Sequence, residues 1–589
     1  MKLTRLFFVL LLLGFPIFAR AAAEPSTDAE LDKVADDYIK GWLAAHPLEA
    51  TSLGFHEFDG RINDYTRLSI DAELSRLKRF DQRLAKFDAT KLGQRAAIDL
   101  RILQAAVKKD LFQMVEMASF EGNPMTYAQA LDANTFIKRN FAPLEDRARS
   151  IIQIESQAPN IMIAAKTNLA PILPQPYVEL AIEIARGSAE FLKKDLVEAL
   201  KDLKDEKLVA SFQLSNRKAY TALNDYATWL EKERLPNAVA PWQLGDEKYR
   251  RMLAQTELVD MAPAQVLEIG LAELKREQDA FAEAGKIIDP TKPAPEVFKD
   301  IQKDHPTAEN LISDTAKNLE SIRQFIVDRD LISLPSKVRA AVKETPQFAR
   351  ATSFASMDTP GPFEKKASEA YYYVTPVEKE WPEQQKEEWL TAFNYYTTDV
   401  VSIHECYPGH YVQFQHLNAS SATKAEKIFG SYAFIEGWAH YTEKMVVDDG
   451  FGSSKNPTPS DEEVKRAAKY RMAQADEALL RLCRLCVSIK MHTQSMTVDD
   501  GARFFQENCY YEAKPSRSEA MRGTYDPGYL NYTLGKLQIL KLRADYQAQE
   551  GGKFSLKSFH DEMLKHGMPP IRLLRELLLK DKTKWSEVL

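Results

Sequence analysis

The sequence predicts a mainly α fold with one small β-sheet set beside a cluster of histidines. Two observations carry this. Apolar residues recur at three- and four-residue intervals through most segments after residue 24, the mark of amphipathic helices. Against that background, Ala370-Tyr-Tyr-Tyr-Val-Thr375 is the best strand in the chain, aromatic and β-branched and closed by Pro376. With 589 residues, 44% hydrophobic and 10% aromatic, the chain can bury a large core and does not read as disordered.

The elements follow in order. Lys2 and Arg5 precede an uncharged, mostly apolar run from Leu6 to Phe18, and Ala19-Arg-Ala or Ala21-Ala-Ala offers small residues for cleavage. Residues 1–23 therefore read as a secretory signal peptide, and the mature protein is expected in the periplasm or secreted. No cysteine follows the apolar run, which argues against a lipid anchor. No later stretch approaches the ~20 apolar residues of a transmembrane helix. The 85 acids and 78 bases are interspersed, with a formal charge of -7, so no basic stripe offers itself to nucleic acid.

Helices are predicted over 31–45, 69–87, 95–114, 147–168, 178–201, 211–234 and 263–284. Proline-rich joints at 170–176 and 289–295 separate them, and Ser26-Thr-Asp-Ala and Thr307-Ala-Glu-Asn read as helix starts. Between 335 and 380 the character changes: 350–357 is mixed and polar, Thr359-Pro-Gly-Pro is a turn, and the strand follows. Helices resume over 383–401, 428–447, 461–492, 498–511 and 531–550, with 522–528 as a loop. The expected organisation is an N-terminal helical region, 24–340, and a histidine-bearing region, 341–589, in one continuous fold.

Five of the 10 histidines fall between 404 and 492. His404-Glu405 followed by His410 is H-E-x-x-H with two residues inserted. Six residues apart, the two rings would point roughly 120° away from each other on a regular helix. Pro408-Gly409 supplies the break that re-aims His410. A catalytic zinc needs a third protein ligand. Glu436, His440 and Glu443 share one face of the following predicted helix. Glu436, beside the unobstructed Gly437, is the first choice, and Glu443 is the alternative. His440 and Glu443 are candidates to orient a ligating histidine.

The four cysteines, Cys406, Cys483, Cys486 and Cys509, all lie in the last third. Export permits a bond from Cys483 or Cys486 to Cys509. Small buried thiols are the other reading.

His404-Glu-Cys-Tyr-Pro-Gly-His410, with Gln413 after it, resembles the H-E-x-x-P-G-H-x-x-Q signature of the bacterial domain-of-unknown-function 885 family. Glu436-Gly-Trp-Ala-His-Tyr-Thr-Glu443 resembles its E-G-W-A-x-Y-x-E motif. Glu519-Ala-Met-Arg522 and Pro527-Gly-Tyr-Leu-Asn-Tyr532-Thr-Leu-Gly535 resemble its C-terminal motifs. The opening motif is matched by Pro47 to Gly54, and Tyr371-Tyr372 stand at its paired tyrosines. Tyr529 replaces the family's usual glutamine, and Ser488 stands where an aspartate is frequent. The resemblance spans most of the chain and implies a helical, zincin-like metallopeptidase of the gluzincin group, with one Zn2+ per chain.

On that reading His404, His410 and Glu436 hold zinc, and Glu405 is the general base toward water. Tyr532, Arg522 and His492 are candidates to stabilise the oxyanion. Each has a structural alternative: a buried aromatic, an ion pair with Glu519 or another carboxylate, and a hydrogen-bonded helix-end residue. Tyr371, Tyr372, Gln413 and Glu519 are further candidates for supporting the site or the substrate. The 371–375 strand is expected to be either an open edge that pairs with an extended peptide or a plain core strand. A channel walled by helices would favour short peptides. Two rival functions stand beside this one: an inactive peptide- or metal-binding protein, and a zinc hydrolase of another amide or ester, such as a cell-wall fragment.

Overall fold

The computed structural model describes residues 27–347, 350 and 353–589, so the expected signal peptide lies outside the described residues. Helices run through most of this length, as the apolar repeats require. Early long ones are Thr27–Ala45, Arg67–Leu84 and Gln94–Leu111. The predicted helix over 147–168 is two helices, Leu144–Ser156 and Ala158–Asn168. Pro159, at the start of the second, has no N–H to donate to the preceding turn. The expected start at Thr307 moves to Leu311.

Seven helices position the site: α1 (Pro263–Ile288), α2 (Tyr395–Glu405), α3 (His410–Ala419), α4 (Tyr432–Asp448), α5 (Asp461–Thr493), α6 (Ala513–Tyr525) and α7 (Asn531–Glu550). The long α5 starts on a capping box, in which Ser460 and Glu463 satisfy each other's backbone N–H groups. One large core takes in residues of α1, α2, α4, α5 and α7 and extends to Val588. Thus α1, which precedes residue 341, shares its core with the histidine-bearing helices. A second core gathers Tyr65 to Ala238, and a third packs the first helices against Ala425 and Leu573.

The sheet has three strands, β1 (Ala340–Glu344), β2 (Ala355–Asp358) and β3 (Ala370–Val374), in the order β1-β3-β2. β1 runs parallel to β3, and β2 antiparallel with Met357 opposite Tyr372. The expectation of an open edge at 371–375 is therefore corrected. β3 is central and paired on both sides, and the free edge facing the histidines belongs to β2. Tyr372 is buried, and its hydroxyl accepts from Ser402 Oγ at 3.2 Å, which makes it a core residue rather than a substrate contact. Tyr371 stacks on Tyr373, with Lys343 Nζ 4.2 Å from its ring centre.

One further expectation is corrected, and one open alternative is decided. α6 extends through the predicted 522–528 loop as far as Tyr525 and carries Arg522 on a helix. All four cysteines are free and buried, so Cys509 is bonded to neither Cys483 nor Cys486. Among the described residues, no helix is long and apolar enough to cross a membrane.

Candidate metal centre

The site begins with a broken helix. α2 ends at Glu405, α3 begins at His410, and Gly409 N reaches back to Ile403 O at 3.0 Å. A Cβ at Gly409 would lie 1.7 Å from His404 O, so this backbone path requires glycine. Trp438 of α4 clamps the break by donating from Nε1 to Pro408 O at 3.0 Å. The result brings the rings of His404 and His410 to 4.9 Å, nearly perpendicular.

α4 brings the third group. Its Gly437 crosses α7 at Gly535, where a Cβ on Gly437 would lie 2.4 Å from Gly535 Cα. This backbone-to-backbone approach sets Glu436 and Tyr532 on facing helices. One ligand atom from each of His404, His410 and Glu436 falls within 4.8 Å of the others, a grouping that could hold a metal ion. Glu436 Oε2 lies 3.6 Å from His404 Nε2 and 3.5 Å from His410 Nε2. These are poor hydrogen bonds. They match the edge of about 3.4 Å in a tetrahedron built on ~2.1 Å metal–ligand bonds. Glu436 Oε2 is also buried without a hydrogen-bond partner, as a ligand atom would be.

The charges are coupled. Burial works against an ionised Glu436, but His410 and His404 overcome it and hold the carboxyl well below its usual range. Burial likewise opposes a proton on His404, while Glu436 and Glu443 push that histidine up to about 10. A cation bound here takes the place of that proton.

Behind His404 stands Glu443, whose Oε1 lies 2.6 Å from His404 Nδ1 and whose Oε2 lies 3.0 Å from His440 Nδ1. Glu443 thus occupies the ring nitrogen opposite the one facing Glu436, the position of an orienting carboxylate rather than of the third ligand. Burial and Lys536 push His440 down to about 3 against the pull of Glu443, so it is neutral. Gln413 is buried and donates to Phe434 O at 3.3 Å, joining α3 to α4.

Glu405, half-buried, faces β2, where its Oε2 accepts a hydrogen bond from Met357 N at 3.0 Å. Tyr532 stacks on His404, with ring centres 6.4 Å apart. Burial and Glu436 raise the phenol against Arg484, Arg522 and Arg481, so it keeps its proton.

Arg522 does not pair with Glu519. It donates to Asp526 Oδ2 from Nε at 3.0 Å and from Nη2 at 2.9 Å, and from Nη2 to the Tyr432 hydroxyl at 3.2 Å. Glu519 instead takes two hydrogen bonds of 2.8 Å from Arg484. His492 is corrected as an oxyanion donor: its Nε2 donates to Gly523 O at 2.8 Å, and its Nδ1 accepts from Leu244 N at 3.4 Å. Burial pushes it down to about 4, so it has no further proton to offer.

Met357, Arg481, Arg484 and Tyr432 escaped the sequence reading. Glu477, Arg481 and Arg484 stand four and three apart on α5, a spacing that could have flagged one shared face. Nothing local signals Met357 or Tyr432. A cavity of about 1110 Å³, lined in part by Gln129, Thr135, Phe136, Ser353 and Ser356, abuts β2, and no member of the His404–His410–Glu436 group lines it.

The family model described as a bacterial protein of unknown function, DUF885, matches residues 47–578. Among solved structures, a proposed lipoprotein of unknown function from Shewanella oneidensis matches with a TM-score of 0.76 and 23% identity, over 93% of this chain and 100% of that one. A proposed lipoprotein from Colwellia psychrerythraea matches with a TM-score of 0.75 and 17% identity, over 95% and 99%. Both likenesses concern the fold. A carboxypeptidase of Pyrococcus furiosus matches over 95% and 96% with a TM-score of 0.42 and 12% identity, a distance at which the likeness carries no argument. No curated protein matches.

Proposed function

The chain belongs to the DUF885 family of bacterial proteins, and we propose that it is an exported zinc metallopeptidase that hydrolyses short peptides. The observation that carries this reading is the convergence of His404, His410 and Glu436 with an unpartnered carboxylate oxygen at its centre. Two imidazoles and one carboxylate suit zinc with an open position. When bound, zinc polarises a carbonyl and lowers the pKa of water.

The chain's own residues supply the rest. Glu405 takes the proton of the attacking water and hands it to the leaving amine. Met357 N, on its Oε2, keeps that carboxylate in place. Tyr532, protonated, donates toward the carbonyl oxygen as that atom gains charge. Glu443 keeps the His404 Nδ1 proton on its own side, so that Nε2 faces Glu436 as an acceptor. The free edge of β2 accepts an extended peptide by strand addition, with its scissile bond beside Glu405.

A peptide-library digest read by mass spectrometry tests the reading. Cleavage should stop on chelation and return with zinc. Cleavage that survives complete removal of metal would refute it. Hydrolysis of amide- or ester-linked cell-wall fragments alone would move the substrate, not the chemistry.

A further inference from the structure

We propose that Arg484 and Arg522 form a carboxylate-binding subsite beside the metal centre, and that it takes the C-terminal α-carboxylate of a peptide. The subsite's place in a reaction rests on the metallopeptidase reading; its chemistry rests on the arginines themselves.

Each guanidinium is already held along one edge. Glu519 takes Nε and Nη2 of Arg484, and Asp526 takes Nε and Nη2 of Arg522. The Tyr432 hydroxyl accepts a further bond from Arg522 Nη2. In both arginines Nη1 makes no protein hydrogen bond among the described residues, and neither Nη1 is among the buried, unpartnered atoms. The side chains are 11% and 29% exposed, and in each the donor that no protein group takes is Nη1. An arginine fixed by one carboxylate with its remaining donors open is preorganised for a second planar anion.

Both arginines border Tyr532, Arg522 by way of Tyr432, whose hydroxyl accepts from its Nη2 and whose ring lies 5.9 Å from the Tyr532 ring. Arg484 Cζ lies 5.2 Å from the Tyr532 ring centre, and that ring lies 6.4 Å from the His404 ring. Arg481 Cζ is 5.9 Å from the same ring centre, and its Nε is buried without a hydrogen-bond partner. The carboxylates of Glu477, Glu519 and Asp526 offset the three positive charges, and Glu443 stands 3.8 Å from Arg481. Recognition therefore comes from open, oriented N–H donors rather than from net charge.

The span also limits the ligand. The two steps, from Arg484 Cζ to the Tyr532 ring and from that ring to the His404 ring, correspond to one to three extended residues at ~3.5 Å each. A chain cut at the metal centre would place its terminal carboxylate on the arginines after that many residues. The subsite thus predicts release of short C-terminal fragments. An acidic side chain at the same distance presents the same group, so the test must separate the two sources.

The test uses the whole protein after chelation of metal, titrated calorimetrically with one acetylated tripeptide as the free acid and as the C-terminal amide. The free acid should bind about tenfold more tightly. In Arg484→Lys and in Arg522→Lys, which keep the charge and lose the fork, the gap should shrink to about twofold or less. Zinc content after reloading should match that of the native protein. Equal binding of the two peptides, no binding of either, or a gap that survives both substitutions would overturn the proposal. A third arm, an amidated tripeptide ending in aspartate, should bind like the plain amide. Binding as tight as the free acid would overturn the terminal assignment in favour of an acidic side chain. The native arms hold even if a variant fails to fold. Because metal and hydrolysis play no part in the readout, the outcome is separable from that of the metallopeptidase reading.

Discussion

His404 Nδ1 lies 2.6 Å from Glu443 Oε1, and the opposite ring nitrogen is turned toward Glu436. On the proposed reading one carboxylate fixes the tautomer and the other would share a bound cation. Glu443→Gln keeps the shape and weakens the first of these. Metal affinity, read by competition with a chromophoric chelator, should fall about 10- to 100-fold. An unchanged affinity would remove Glu443 from its orienting role.

Glu405 touches the backbone of β2 and belongs to none of the converging ligand atoms. Glu405→Gln should therefore bind zinc as the native protein does while peptide hydrolysis falls by about 10²- to 10⁴-fold. Elemental analysis and a peptide assay on the same preparation check both halves. Retained activity would reassign the base.

Gly535 permits the crossing that places Glu436 opposite Tyr532. A Cβ there would lie 1.7 Å from Ala433 O and 2.8 Å from Gly437 Cα, both backbone atoms that cannot swing aside. Gly535→Ala should destabilise the fold by at least about 1–3 kcal/mol, seen as a lower Tm, with metal affinity falling in parallel. A stable variant with native metal affinity would mean that the helices can separate without moving the ligands.

Burial holds His492 and His560 neutral, both pushed down to about 4 from 6.5. In each, the folded value lies below the unfolded one, so the unfolded chain binds more protons between them. The stability they contribute is complete above about pH 6.5 and is lost as the pH falls toward 4. Each should cost about 2 kcal/mol between pH 7 and pH 5. Urea midpoints at the two pH values should fall less steeply in His492→Gln than in the native protein. Equal slopes would show that His492 does not titrate in this way.

Much of the centre was legible because its grammar is local. The six-residue gap between His404 and His410 demanded a break, and Pro408-Gly409 stood inside it. Glu436 beside Gly437 signalled a close approach, although that the neighbour would be Gly535 was not readable. What stayed hidden depends on chain segments far apart. Arg484 meets Glu519 across 35 residues, and Arg522 meets Tyr432 across 90. β1 and β2 are strands because β3 pairs with them, not because Ala-Ala-Val-Lys-Glu or Ala-Ser-Met-Asp favours extension strongly. Gly523 lies in the stretch read as a loop, yet it sits inside α6, where a side chain would meet the Tyr529 hydroxyl at 2.5 Å. Cysteines on neighbouring helices satisfied the sequence conditions for a disulfide, but their thiols pack as small apolar groups.

The most direct measurement is anomalous diffraction from crystals of the native protein grown with zinc, recorded on both sides of the zinc absorption edge. One peak per chain should lie at about 2.0–2.2 Å from His404 Nε2, from His410 Nε2 and from Glu436 Oε2. The peak should vanish in Glu436→Ala. A zinc peak elsewhere, or none at these three atoms, would contradict the metal centre on which the proposed chemistry depends.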